Sequence, residues 1–185
     1  MVYDSRLSLM MDELKIRVAI RTTARISFVL FLGAFLGNAL YRLWPAAATC
    51  WVKENKDRFT LGFAGSHTVH LVFILALVAS LGRGDLLNEL GWIVLVAFST
   101  GFLFIYALAA GVLFGNRAFW VASPRFELCA HYFLIAVFGW GFALSGVMRP
   151  LFYTPFLLTV IAAIGLRIAA AIRSRKMAVL TATAR

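Results

Sequence analysis

The sequence predicts an all-α integral membrane helical bundle of about five transmembrane helices, preceded by an N-terminal amphipathic interfacial helix. Three observations carry this. Apolar side chains make up 62% of the 185 residues and charged ones only 14%, and a mean hydropathy of +0.88 lies far above that of a water-soluble domain. Five apolar runs reach or exceed the roughly 18–20 residues needed to cross about 30 Å of hydrocarbon. Tryptophans Trp44, Trp51, Trp92 and Trp120 stand at the ends of those runs, where an amphipathic indole sits at headgroup level.

The first segment, residues 1–25, reads MVYDSRLSLMMDELKIRVAIRTTAR. Leu7, Met10, Met11, Leu14 and Val18 recur at helical spacing among Arg6, Asp12, Lys15, Arg17 and Arg21. This pattern suits a helix lying in the membrane interface. A cleaved signal peptide fits less well, because the charged stretch is too long and the hydrophobic run after it exceeds a signal peptide's apolar region.

Residues 26–172 form the expected transmembrane domain. The first span covers about Ile26–Trp44 and stops at Pro45; the second covers about Phe59–Leu81, before the turn-forming GRGD. The third runs from about Leu90 to Phe114, the fourth from about Leu128 to Val147, and the fifth from about Leu151 to Ile172. Only VMRP separates the last two, so they form an antiparallel hairpin. The small-residue pairs Gly33/Gly37, Gly62/Ser66 and Gly111/Gly115 let helix backbones approach closely. Residues 173–185 make a basic C-terminal tail.

An odd number of spans places the termini on opposite sides. The N-terminal side holds seven basic residues and the C-terminal side eleven, so the positive-inside rule points to a cytoplasmic C terminus. The net charge of +10 reads as attraction to anionic headgroups of the lipid bilayer; no nucleic-acid module is visible. Cys50, placed in a loop, and Cys129 form no CxxC, and a disulfide between them requires a periplasmic location. No phosphate-binding loop, nucleophile elbow or acidic metal cluster is present in the sequence.

Three histidines remain: His67 and His70 in FAGSHTVHLVF, and His131 in the fourth span. Ionisable groups inside lipid are costly, which makes each a functional candidate. At 1.5 Å per residue, His67 lies about 12 Å and His131 about 5–9 Å below the same membrane surface. At matched depth on neighbouring helices, they are placed to supply both axial ligands of one haem b. Gly62 and Gly65 leave room for a flat macrocycle, phenylalanines supply its wall, and Lys56, Arg58, Arg117 and Arg125 are the expected partners of the propionates. His70 is a neighbouring hydrogen-bond donor or an alternate ligand.

The stretch RFTLGFAGSHTVHLVFILAL, Arg58–Leu77, resembles the second-helix signature of small bacterial proteins in the ferric reductase-like transmembrane superfamily. That haem-b fold is shared with NADPH oxidases and a sulfoxide-reductase haem subunit. The resemblance extends over residues 53–147 and implies a helical bundle of the bacterial inner membrane that carries electrons through histidine-ligated haem. It departs from the family in having His131 alone on the fourth span, which leaves one haem and makes a second doubtful. The sequence also lacks the flavin domain of the larger oxidases, so a quinol or a redox partner protein is the expected electron donor. Two other classes share the same starting point: a haem-free accessory or scaffold subunit of a larger membrane complex, in which the histidines bond across helices, and a proton or solute transporter.

Overall fold

The computed structural model describes residues 2–81, 83–115 and 123–183, and they form six helices. These are α1 (Val2–Leu43), α2 (Ala47–Glu54), α3 (Lys56–Leu81), α4 (Arg83–Phe114), α5 (Pro124–Met148) and α6 (Pro150–Thr183). All except α2 contain a stretch long and apolar enough to cross a membrane. The chain is thus an integral membrane helical bundle with five candidate spans.

The α1–α2, α2–α3 and α5–α6 connections are short and their chemistry is local. Pro45 lacks an amide hydrogen and ends the run of α1 bonds, and the Thr49 hydroxyl, which accepts from the Ala46 amide at 3.1 Å and donates to the Trp44 carbonyl at 2.6 Å, ties down the start of α2. Asn55 alone joins α2 to α3, its amide bonded to the Trp51 carbonyl at 3.0 Å. Ser123 caps α5 by accepting the Phe126 amide at 3.1 Å, with Pro124 in the first turn. The expected α5–α6 hairpin is present, turned by the single residue Arg149, whose φ of −146° and ψ of 70° break the helix.

The helices close into a ring in which α1 packs against α3 and α6, α3 against α4, α4 against α5, and α5 against α6. Phe28, Phe31, Phe35, Phe63, Phe138 and Phe142 fill its centre together with Ile105, Leu134 and Ile135. Only 17–39% of each apolar span is buried within the protein, so the leucine, isoleucine and valine side chains on the outside belong to lipid. The C-terminal ends of α1, α4 and α6 share one face with α2 and the N-terminal ends of α3 and α5, hereafter the α2 face.

Four sequence expectations shift. The boundary at residue 25 is absent, because α1 continues without a break from Val2 into the apolar stretch Glu13–Leu43; an interfacial helix needs a bend there to leave the span. The side chains of Leu7, Met10 and Met11 lie outside the described residues. Cys50, expected in a loop, is on α2. GRGD, expected as a turn, is helical from Arg83 onward, where α4 begins, and Gly82 lies outside the described residues. The tail from residue 173 continues α6 as helix to Thr183. Trp44 just past α1, Trp51 on α2 and Trp92 within α4, three residues before its apolar stretch, are exposed, as anchors should be; Trp120 and Arg117 lie outside the described residues.

Candidate functional site

The seam between α1 and α3 is made by small and hydroxyl side chains. At Gly33 an added Cβ would come within 2.6 Å of the Phe59 ring, so only glycine admits that approach. Further along, Ser27 and Ser66 share a hydrogen bond of 2.8 Å, and the Thr23 hydroxyl lies 3.0 Å from His70 Nδ1. Thr23 also donates to the Ala19 carbonyl at 2.8 Å. With its one proton committed there, the Thr23 oxygen accepts, and the His70 Nδ1–H donates. Thr23 and Ser27 are four residues apart on α1, and Ser66 and His70 four apart on α3. Antiparallel packing therefore matches the two pairs as a ladder.

His67 lies beside His70, with ring centroids 5.1 Å apart, and points into aromatic surroundings. Phe102 on α4 is 5.1 Å away, Phe63 one turn back on α3 is 5.3 Å away, and Phe138 on α5 is 6.0 Å away. Its Nδ1 is buried without a hydrogen-bond partner.

His131 on α5 is 2% exposed, and both of its ring nitrogens lack a hydrogen-bond partner. Glu127, one turn earlier, places Oε1 3.5 Å from Nδ1, an ion-pair distance if the ring is protonated. The same carboxylate oxygen takes the Lys56 ammonium from the start of α3. On the other side, Arg167 of α6 donates to the Phe35 carbonyl at 3.0 Å and stacks on the Phe35 ring at 4.6 Å. Phe31 and Phe35 cover the His131 ring at 5.9 and 6.0 Å.

The two imidazoles thus belong to one core, but their rings are not in contact. Phe31, Phe63 and Phe138 stand between them, packed mutually at 5.2, 5.5 and 6.0 Å. Phe31 touches His131, and Phe63 and Phe138 touch His67. Their depths also differ. His67 packs against Phe138 at 6.0 Å, and Phe138 lies seven residues beyond His131 on α5, about 10 Å at 1.5 Å per residue.

In donor chemistry, buried neutral imidazoles on two helices suit a b-type haem. As packed here, they do not meet across one metal. Two nitrogens on one metal, each at the ~2 Å typical of imidazole bonds, stand about 4 Å apart across it, and the phenylalanine trio occupies that gap. The other expected parts are scattered. Gly65 meets open space on the outer side of α3 rather than a cleft, and Gly62 is in ordinary contact with Leu30. Lys56 is engaged by Glu127, Arg58 donates to Asn55 Oδ1 at 3.0 Å, and Arg125 is exposed at the rim. Among the described residues, no group of three or more His, Cys, Asp or Glu is placed to hold a metal ion.

Both cysteines are free. Cys50 donates to Glu54 Oε1 at 3.3 Å, and that hydrogen bond to the carboxylate pushes its thiol pKa above the usual value. Thr23, Ser27, Glu127 and Arg167 were not among the sequence candidates. Glu127 carried a signal nonetheless, an acid four residues before a histidine on a helix. Comparison of the chain with protein-family models, with curated proteins and with solved structures returns no match in any of the three.

Proposed function

We propose that this chain is a membrane haem b protein of the bacterial inner membrane that passes electrons between a quinol or partner protein and an acceptor. One observation carries the reading: His67 and His131 keep buried ring nitrogens without partners. An unsatisfied buried polar group costs about 1–3 kcal/mol, and in lipid no water relieves it, so its retention calls for a ligand. Bound haem supplies a one-electron carrier. The residues of the chain supply imidazole nitrogens, an aromatic surround from Phe63, Phe102 and Phe138, and cations at the α2 face. With the trio packed as it is, His67 and His131 do not share an iron, and the reading requires those rings to turn aside.

A second reading is favoured by that trio. A centre filled with phenylalanine suits a haem-free accessory subunit of a larger membrane complex, in which Lys56–Glu127 and His70–Thr23 are interhelical ties. One experiment separates the two. The full chain, expressed with ample haem and purified in mild detergent, is expected to be red, with a reduced-minus-oxidised b-type spectrum that His67→Ala or His131→Ala abolishes. A colourless protein that purifies with a larger membrane partner establishes the second reading and ends the first.

A further inference from the structure

The α2 face carries a cationic corner that the histidine site does not use. Arg42, at the end of α1, donates from Nη1 to Ser174 Oγ on α6 at 3.1 Å, and Arg173 donates from Nη1 to the Leu43 carbonyl at 2.7 Å. These reciprocal bonds hold the two guanidinium groups beside the end of α1, where α6 runs on towards Thr183. Both arginines are exposed. Each binds a neutral acceptor with one arm, and among the described residues neither has a carboxylate within ion-pair distance. A guanidinium has five N–H donors in a fixed fork that matches a phosphate, so each keeps most of its capacity free. Lys53 lies 4.4 Å from the centre of the Tyr41 ring on the neighbouring turn of α1, and Arg175 and Lys176 are exposed on the last turns of α6. Glu54 is the nearby acid, and it accepts the Cys50 thiol.

The corner also sits at headgroup level. Trp44 and Trp51, 56% and 57% exposed, flank it on the α1–α2 connection and on α2, and indole rings favour the membrane–water boundary. The apolar stretch of α1 ends at Leu43 and that of α6 at Met177, so Arg42 and Arg173 stand within about one turn of the ends of both stretches, where hydrocarbon gives way to phosphate. Paired arginines with spare donors and no acidic partner at that depth recognise an anion fixed in the bilayer.

We propose that this corner, gripped by Arg42 and Arg173 with Lys53 alongside, is a binding site for the headgroup phosphate of an anionic phospholipid. The test uses the full chain in neutral detergent, titrated with phosphatidylglycerol or with phosphatidylcholine of the same acyl chains. Bound lipid is counted by native mass spectrometry and the unfolding midpoint is followed by tryptophan fluorescence. Phosphatidylglycerol is expected to stay bound and raise the midpoint, whereas phosphatidylcholine does neither. Arg42→Gln/Arg173→Gln removes the difference between the lipids, and Arg149→Gln on the opposite face preserves it. Should the double variant fail to fold, Arg42→Lys/Arg173→Lys keeps the charge without the fork and is expected to bind phosphatidylglycerol several-fold more weakly. Equal response to both lipids in the unmodified protein overturns the proposal. So does equal lipid selectivity in the glutamine variant, or a midpoint shift of the same size from inorganic phosphate, which assigns the corner to a soluble anion.

Discussion

One oxygen of Glu127 takes the ammonium of Lys56 and stands 3.5 Å from the Nδ1 of His131, one turn deeper on α5, without a hydrogen bond to it. Since α3 and α5 are not neighbours in the helix ring, this pair is their polar link at the α2 face, and the aromatic centre is their apolar one. The carboxylate therefore fixes the relative height of the helices that carry His67 and His131.

The Lys56–Glu127 link is open to a double-mutant cycle. Exposed pairs contribute about 0–1 kcal/mol, but this one is part-buried, the Lys56 side chain 20% and that of Glu127 38% exposed. Lys56→Met and Glu127→Gln are each expected to lower stability in detergent, with a coupling energy of about 1–2 kcal/mol, within the range for residues in one network. Chemical or thermal unfolding of the two single variants and the double variant measures it. Additive losses would remove Glu127 as the tie between α3 and α5.

A second prediction concerns the trio. Truncating a fully buried phenylalanine costs about 3–5 kcal/mol in a core, and Phe63 and Phe31 are each 1% exposed. If haem takes the place of these rings, it and the trio compete for one volume. Phe138→Ala is then expected to lower the unfolding midpoint in haem-starved protein and to recover most of that loss with haem supplied, with haem content per chain above that of the unmodified protein. Haem content and unfolding midpoint, measured on the same samples, decide it. A loss that haem does not repair counts for the haem-free reading.

The spans were legible because lipid imposes a requirement that a sequence displays directly, about twenty apolar residues in a row. The Ser66–His70 face was legible for the same reason, as polar groups stand out in such a run. What bonds to it was not, because Thr23 sits in the charged segment that looks interfacial, and Ser27, second residue of the expected first span, carries nothing that tells which helix it meets. The unbroken α1 was hidden likewise, since interspersed arginines lower hydropathy without breaking a helix. The eight residues of α2 fall below the length at which a period can be read. Seventeen phenylalanines announced an aromatic interior. Which of them stand between His67 and His131 depends on how α1 and α5 rotate about their axes, and composition says nothing of that.

Cys50 supplies a prediction outside the membrane. The bond to Glu54 raises its pKa, which favours the neutral thiol and leaves less of the nucleophilic thiolate at a given pH. Glu54→Gln removes the negative charge and lets the pKa fall towards the usual value. Alkylation of Cys50 at pH 8 in a Cys129→Ser background is expected to run severalfold faster in the variant, with the two rates converging well above the raised pKa, where both thiols are ionised. Identical rates at pH 8 would remove the carboxylate's influence.

The α1–α3 seam supplies the last prediction, as two glycines that look alike in sequence face opposite ways. A methyl group at Gly33 meets the Phe59 ring at 2.6 Å, whereas at Gly65 nothing lies within 4 Å. Gly33→Ala must therefore push Phe59, itself packed edge-on against Trp51 at 5.8 Å, or part the helices; overpacking of this kind costs about 1–3 kcal/mol. Gly65→Ala meets open space and gains helix propensity, which favours alanine over glycine by about 1 kcal/mol. The unfolding midpoint is expected to fall for the first variant and to hold or rise for the second, in the same detergent. Close approach of α1 and α3 at Gly33 is what seats Ser27 on Ser66 and Thr23 on His70 further along, so Gly33→Ala should also loosen those bonds. Faster hydrogen exchange along α3 from Ser66 to His70, with α5 unchanged, is the accompanying signature, and a stable Gly33→Ala protein with unaltered exchange would place the contact between these helices elsewhere.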